Sequence, residues 1–466
     1  VPADTTLFSI TIGGAPYKFA KNEAFTYVSG KMMKFNIRVD KTEGNGKYRL
    51  TLVSESIAPW ENDLQSHDAT ATEYVVINST AGHLKDSIAA SHKDIAMVKC
   101  MKVTGTINVY DFIIMRDSMP KLTALNLKNV RIKRIYNYTV GGVGYWTDHA
   151  EDDVLPFNSF TGKRTLTSFV FPDVLKRIDV GAFAGAGLKG SLNIPEGVVE
   201  IGDEAFARSD FTGVLTLPST LKKIGDSAFS ECCFICPLNL PDGIEEIESR
   251  CFYNCRYLYG KLILPSHLKK LGSSAFARCS GLKGDLVIPK SLTVIPSYAF
   301  DACGLGGRLQ LHDGITTIKE CTFDYNGFIG ELDLPKSLTV LEGGNFDGNY
   351  FSGSLKIPKG LTNISEEAFS NCTFEGEVEI PEGITYIHKR AFIASENLQK
   401  VILPSSLEFI DEYAFWYCKS LRVIECKSTV PPVVNSTAFD KVPLEDLTVI
   451  VPKSALNDYK SSDFWS

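Results

Sequence analysis

From residue 156 onward the hydrophobic positions recur with one long period, not with the short period of an isolated helix or strand. Phe160, Phe183, Phe206, Phe229, Phe252, Phe276, Phe300, Phe323, Phe346, Phe369, Phe392, Phe415 and Phe439 follow one another at 23 or 24 residues. The residue before each is usually Ala, as at 182, 205, 228 and 275. Upstream runs a Pro column (172, 195, 218, 241, 265, 289, 335, 358, 381, 404), broken at His312. Between Pro and Phe lie aliphatic pairs such as Leu221 with Ile224 and Ile384 with Ile387. After the Phe come a small residue, a Leu or Phe, and often a Gly (190, 213, 260, 284, 307, 330, 353, 376).

Each column has a physical reason. Leu215-Thr216-Leu217, Leu286-Val287-Ile288 and Leu355-Lys356-Ile357 alternate inward and outward, as a strand does. The Pro that follows ends the strand because it has no N–H to donate to a ladder. The aliphatic pair and the Ala-Phe step bring the chain back, and Gly permits the turn into the next strand. One such coil cannot bury its own apolar face, whereas stacked coils share a continuous core. The pattern therefore predicts a solenoid of about thirteen coils with a parallel sheet along one side. At a strand spacing of about 4.8 Å the array is on the order of 60 Å long.

The consensus Leu-x-Ile-Pro-x-x-Leu-x-x-Ile-x-x-x-Ala-Phe-x-x-Cys, as in 286–303, resembles the BspA-like class of leucine-rich repeats. The resemblance covers 156–441. Residues 79–155 are similar to the opening cap of such arrays, with a helix expected over about 83–95 and a strand over Met101–Val109, followed by an irregular loop. Residues 442–466 are similar to the family's closing segment, with Tyr459 and Trp465 covering the open end. Residues 1–78 lack the period. Short strands at 7–13, 25–28, 33–39, 48–53 and 73–77, separated by turn-forming residues, predict a small β-sandwich. The segments Leu7–Gly14 and Ile57-Ala58-Pro59-Trp60 resemble fimbrillin-type modules of Bacteroides-type bacteria.

Composition narrows the function. The chain has 466 residues, 44% of them hydrophobic and 22% charged, with a formal charge of −7. It contains no basic run, which argues against nucleic acid as a partner, and no apolar stretch long enough for a membrane span. The start, Val1-Pro2-Ala3-Asp4, reads as a processed one, so an address segment is expected to have been removed.

Candidate chemistry is sparse. Six of the twelve Cys (232, 255, 279, 303, 372, 418) fall three residues after the column Phe, where other coils hold Ala186, Ser209, Asn326, Asn349 and Ser395. That exchange predicts a ladder of buried thiols, not a metal site or a set of disulfides. Cys233 and Cys236 have the spacing of a redox or metal pair without a second pair. The seven His do not cluster, and His267, His312 and His388 read as surface substitutions. No Gly-x-Ser-x-Gly, His-Glu-x-x-His or phosphate-binding Gly-Lys motif is present, so no catalytic residue, metal ligand or cofactor is assigned.

Two places remain for a partner. The outward strand positions form a mixed-charge ribbon with an acidic stretch at Glu331, Asp333, Glu377 and Glu379, expected to steer a protein partner. The segment Tyr136–Asp153 escapes the repeat, and its Tyr145 and Trp146 beside Asp148, Glu151, Asp152 and Asp153 offer a glycan or Ca²⁺ site. The bland alternative there is a loop covering the edge of the core. The resemblance implies a non-enzymatic, adhesin-like binding protein of the cell surface or extracellular space, with an extracellular protein as partner. The alternatives are an assembly component of a surface or fimbrial complex and a glycan-binding accessory protein.

Overall fold

The computed structural model describes residues 74–135 and 151–465 in full, and the backbone of strand segments among 7–59 and 138–145. The chain divides into two compact units, Val1–Thr72 and Glu73–Ser466. In the first, Leu7–Ile12 pairs antiparallel with Ala15–Ala20, and Lys31–Lys41 with Tyr48–Pro59. The strand expected at 25–28, and the side chains behind the fimbrillin resemblance, lie outside the described residues. The strand expected over 73–77 does not belong with these hairpins. Val75–Ser79 pairs parallel with Cys100–Ile107 and is a rung of the array, which moves the boundary from 78 to 72.

The second unit is a parallel β-solenoid of about 16 turns. Its opening turns carry short helices at Leu84–Ala90 and Val109–Asp117. The second helix replaces the end of the strand expected to reach Val109. Asn108 accepts from Tyr110 N–H and Asp111 reaches back to Asn108 N–H, a capping box that starts a helix at once. Asp111 is buried, and it also accepts from Gly82 N–H at 2.7 Å and Leu84 N–H at 2.9 Å. One carboxylate thus serves otherwise orphaned donors at the starts of both helices. Lys163, also buried, donates to the carbonyls of Arg116 and Met119 at the end of the second helix and ties the first full coil to the cap.

Along the array the thirteen column Phe rings are buried and stacked face to face. Successive centroids lie 5.0 to 6.0 Å apart with interplanar angles of 19° or less. Phe112 closes the stack edge-on at Phe160, and Phe464 stacks on Phe439 at 5.2 Å at the other end. Trp465 Nε1 donates to Pro432 O and Tyr459 Oη to Ser428 O, so the closing segment seals the core by ring contact and hydrogen bond together.

The expected ladder is present, with Leu192 opposite Leu215 and Val378 opposite Val401. A second parallel ladder, which the sequence reading did not anticipate, is built from the aliphatic return. Six rungs pair continuously from Val154–Leu155 to Lys270–Leu271. The turn flank is also hydrogen-bonded from coil to coil: Ser227, Phe229 and Glu231 donate N–H to the carbonyls of Ser249, Cys251 and Tyr253. Alternate N–H groups point along the array because Ser227 and Glu231 adopt left-handed φ of 54° and 60°. Nearly every coil repeats this two residues before and two after its Phe, mostly with residues other than Gly.

Candidate functional site

Glu331, Asp333, Glu377 and Glu379 are all exposed on the outward face of the first ladder, as expected. Their charges are not equivalent. Glu377 pairs with Lys400 at 3.1 Å, Lys400 also reaches Glu425 at 2.9 Å, and Glu379 pairs with Lys427 at 2.6 Å. Hydrogen bonds that it donates to Glu425 and Glu377 hold the Lys400 ammonium above its usual range, which agrees with the geometry. Glu331 and Asp333 make no ion pair among the described residues. The free acidic stretch is therefore shorter than the sequence suggested. The signal was available: Glu377 and Lys400 are one repeat apart, as are Arg177 with Glu200, Arg208 with Glu231 and Glu367 with Arg390, all of them paired. In stacked coils a separation of one period is a contact.

Of the loop aromatics, Tyr145 ends a strand, Val143–Tyr145, that pairs with Tyr138–Val140. Its side chain and all of Trp146 lie outside the described residues. Of the neighbouring carboxylates, Glu151, Asp152 and Asp153 are described, and all three are already used. Asp153 is buried and holds Arg131 at 2.7 Å and Ile132 N–H at 3.0 Å, while Asp152 accepts from Lys133 at 2.7 Å and Arg134 N–H at 3.0 Å. Those two bonds hold the Asp152 carboxyl below its usual range. Glu151 lies 3.5 Å from Lys176. These groups fasten the base of the loop and do not converge on an ion. A cavity at that base is lined by Val109, Ile132, Arg134, Val154 and Pro156.

The structure adds a patch that the sequence reading passed over. On neighbouring coils of the strand face Ile235 is 56% exposed, Tyr257 57%, Tyr259 47%, Ile263 67% and Val287 47%. Ile235 and Tyr259 share one repeat column, and Ile263 and Val287 share another. Lys261 and Lys283, both exposed, stand among them. Ile329 and Tyr350, Cα partners on adjacent rungs and both exposed, form a smaller apolar pair further along. Exposed aromatic and aliphatic side chains grouped in this way mark an interaction surface more often than scattered ones do. The clue in the sequence was Ile and Val at outward positions that other coils fill with Asn, Gln, Asp, Lys or Glu.

The cysteine column has a defined task. Cys232, Cys255, Cys279 and Cys303 donate their thiols to the carbonyls of Phe206, Phe229, Phe252 and Phe276 at 3.0 to 3.1 Å. Ser209, Asn326 and Asn349 make the same bond to Phe183, Phe300 and Phe323. The column thus selects a small donor for a carbonyl one coil back, which a count of small residues did not reveal. All twelve Cys are free. Burial, with neighbouring thiols adding to it, pushes the thiols of Cys255 and Cys279 well up, and a protonated buried thiol is a poor nucleophile. Cys233 is exposed whereas Cys236 is buried, its sulfur accepting from Leu215 N–H, so the pair does not share a surface. His312, expected as a surface substitution, is instead a staple. Its Nε2 lies 3.1 Å from the carbonyls of Pro289 and Leu292, and its Nδ1 accepts from Gly314 N–H.

No curated protein matches the chain. Among solved structures, a leucine-rich repeat protein from Bacteroides ovatus is 20% identical, with 92% of this chain and 100% of that one covered, at a TM-score of 0.47. A leucine rich cell surface protein from Faecalibacterium prausnitzii is 21% identical over 63% of this chain and 86% of that one, at 0.34. A leucine-rich repeat protein from Eubacterium ventriosum is 18% identical over 73% and 88%, at 0.37. The profile of the BspA type leucine rich repeat region, in 6 copies, matches residues 154–283, 258–375 and 345–460. That span is more than half of the chain and contains the stacked Phe column, and the chain belongs to the BspA-type leucine-rich repeat family.

Proposed function

We propose that this chain is a non-enzymatic binding protein of the cell surface or extracellular space, adhesin-like in action, whose strand face docks an extracellular protein. The observation that carries this reading is the exposed group Ile235, Tyr257, Tyr259, Ile263 and Val287 on a mostly polar ribbon. Binding energy at protein interfaces concentrates in a few aromatic and apolar anchors, and rim charges act chiefly on approach rate. Glu331 and Asp333, the unpaired acids, are the steering groups, and Glu377 and Glu379 contribute less because Lys400 and Lys427 offset them. Tyr145 and Trp146 stand as the second candidate surface, for a glycan.

The test is a screen of the full chain against extracellular-matrix proteins and a glycan array. Tyr257→Ala with Tyr259→Ala is expected to weaken a protein hit at least tenfold. Glu331→Ala with Asp333→Ala is expected to slow association in a salt-dependent way. A hit untouched by the tyrosine pair but lost in Tyr145→Ala with Trp146→Ala would move the site to the loop and overturn the strand-face reading.

A further inference from the structure

Three consecutive coils carry Asp immediately after the column Phe: Asp301, Asp324 and Asp347. Their register is set by Ala302 N–H donating to Asp324 O at 2.9 Å and Tyr325 N–H to Asp347 O at 3.0 Å. The adjoining rings of Phe300, Phe323 and Phe346 are spaced 5.9 and 6.0 Å apart, so three carboxyl groups occupy one position on rungs that close together. Asp324, in the middle, is only 9% exposed. Its Oδ1 accepts a single bond, from Tyr325 N–H at 3.0 Å, and it makes no ion pair among the described residues. Its neighbours sit differently: Asp347 accepts from Ser370 Oγ at 2.9 Å and Asn371 Nδ2 at 2.6 Å, while burial raises the Asp301 carboxyl above its usual range against the pull of the Arg278 guanidinium.

We infer that these coils form a pH-sensitive seam in the array, in which Asp324 holds a proton at neutral pH between Asp301 and Asp347 and the seam weakens when that proton leaves. Like charges stacked at this spacing with one of them out of water cannot all ionise without cost. The surrounding groups reinforce the effect. Glu367 faces the same column from the next coil, although Arg390 pairs with it at 3.0 Å. On the other side stand Tyr298, Glu320 and Cys321, with the Cys321 thiol pushed up to about 11 by burial and then by Asp324. The Tyr325 hydroxyl is pushed up to about 12, first by Asp347 and then by burial. The buried Cys372 thiol is raised by burial and by Asp347 and Asp324. Of the cations here, Arg278 acts on Asp301 and Arg390 pairs with Glu367.

Burial, then Asp347 and Asp301, push the Asp324 carboxyl from its ordinary 3.8 up to about 8. Because the folded state binds this proton more tightly than the unfolded chain does, stability falls as pH rises from the ordinary carboxylate range to about 8 and is flat above it.

The experiment is a side-chain carboxyl titration of the full chain by NMR, with Asp324→Asn for assignment. One carboxyl titrating near pH 8 and missing from the variant is expected; a titration of Asp324 in the ordinary range would overturn the inference. Melting temperatures at pH 5 and pH 9 give the second reading. The wild type should lose more stability over that interval than Asp324→Asn, and parallel profiles would count against the seam. If the variant does not fold, the titration of the wild type still decides, since a chain with no carboxyl titrating above pH 6 contradicts it.

Discussion

Each coil has two flanks that are built in opposite ways. On the strand flank, outward positions hold Ser, Asn, Thr, Lys, Asp, Arg, Glu, Ile and Val in no fixed order, because the ladder binds through backbone groups and leaves the outward side chain free. On the turn flank, Ala, Phe and a small donor recur in almost every coil, because there the side chains themselves fill the interior and satisfy a carbonyl one coil back. The flank that tolerates any residue is the one on which a binding surface can change without cost to the fold. The flank that tolerates few carries the stability. Where the turn flank departs from its own rule, at Asp301, Asp324 and Asp347, a buried charge problem appears at once.

The comparison is broken most severely at the middle of the ring stack. Phe276→Ala removes a ring that stacks on both Phe252 and Phe300, and it is expected to cost about 3–5 kcal/mol in urea unfolding. A loss under 1 kcal/mol would mean that the stack is a consequence of the fold and not a support for it. A smaller effect separates donor from volume in the column that follows. Cys255→Ala leaves the Phe229 carbonyl without its thiol and should cost about 1–3 kcal/mol, whereas Cys255→Ser keeps a donor and should cost less. Equal losses in the two variants would show that sulfur volume, and not the bond, is what the column selects. The smallest effect belongs to the strand flank. Glu377→Ala breaks a half-exposed pair with Lys400, which keeps Glu425, so no resolvable change in melting temperature is expected. A clear drop would deny that the strand flank is free to vary.

Much of this was legible in advance because a repeat states the same fact many times. Thirteen Phe at one period identified the core column, and the Pro column located the first ladder. Signals that occur once were harder to weigh. The Asn108–Asp111 capping box was present in the sequence, yet the strand was expected to run on to Val109. Tyr257, Tyr259 and Ile263 were passed over, because only stacking sets Ile235 and Val287 on the neighbouring coils beside them. The boundary at 72 was hidden for a similar reason, since Val75–Ser79 reads as a strand in either unit and only its partner assigns it.

By itself the sequence determined the period, the ring that fills the core, the strand before each Pro and the membership of a repeat family, because these follow from hydrophobic spacing within a single coil. The tertiary structure decided the second ladder, the left-handed residues flanking each Phe, the pairing of Glu377 and Glu379, and the burial of Asp324. Those depend on what lies one rung away, and contact between rungs is made by stacking, which local propensity does not encode.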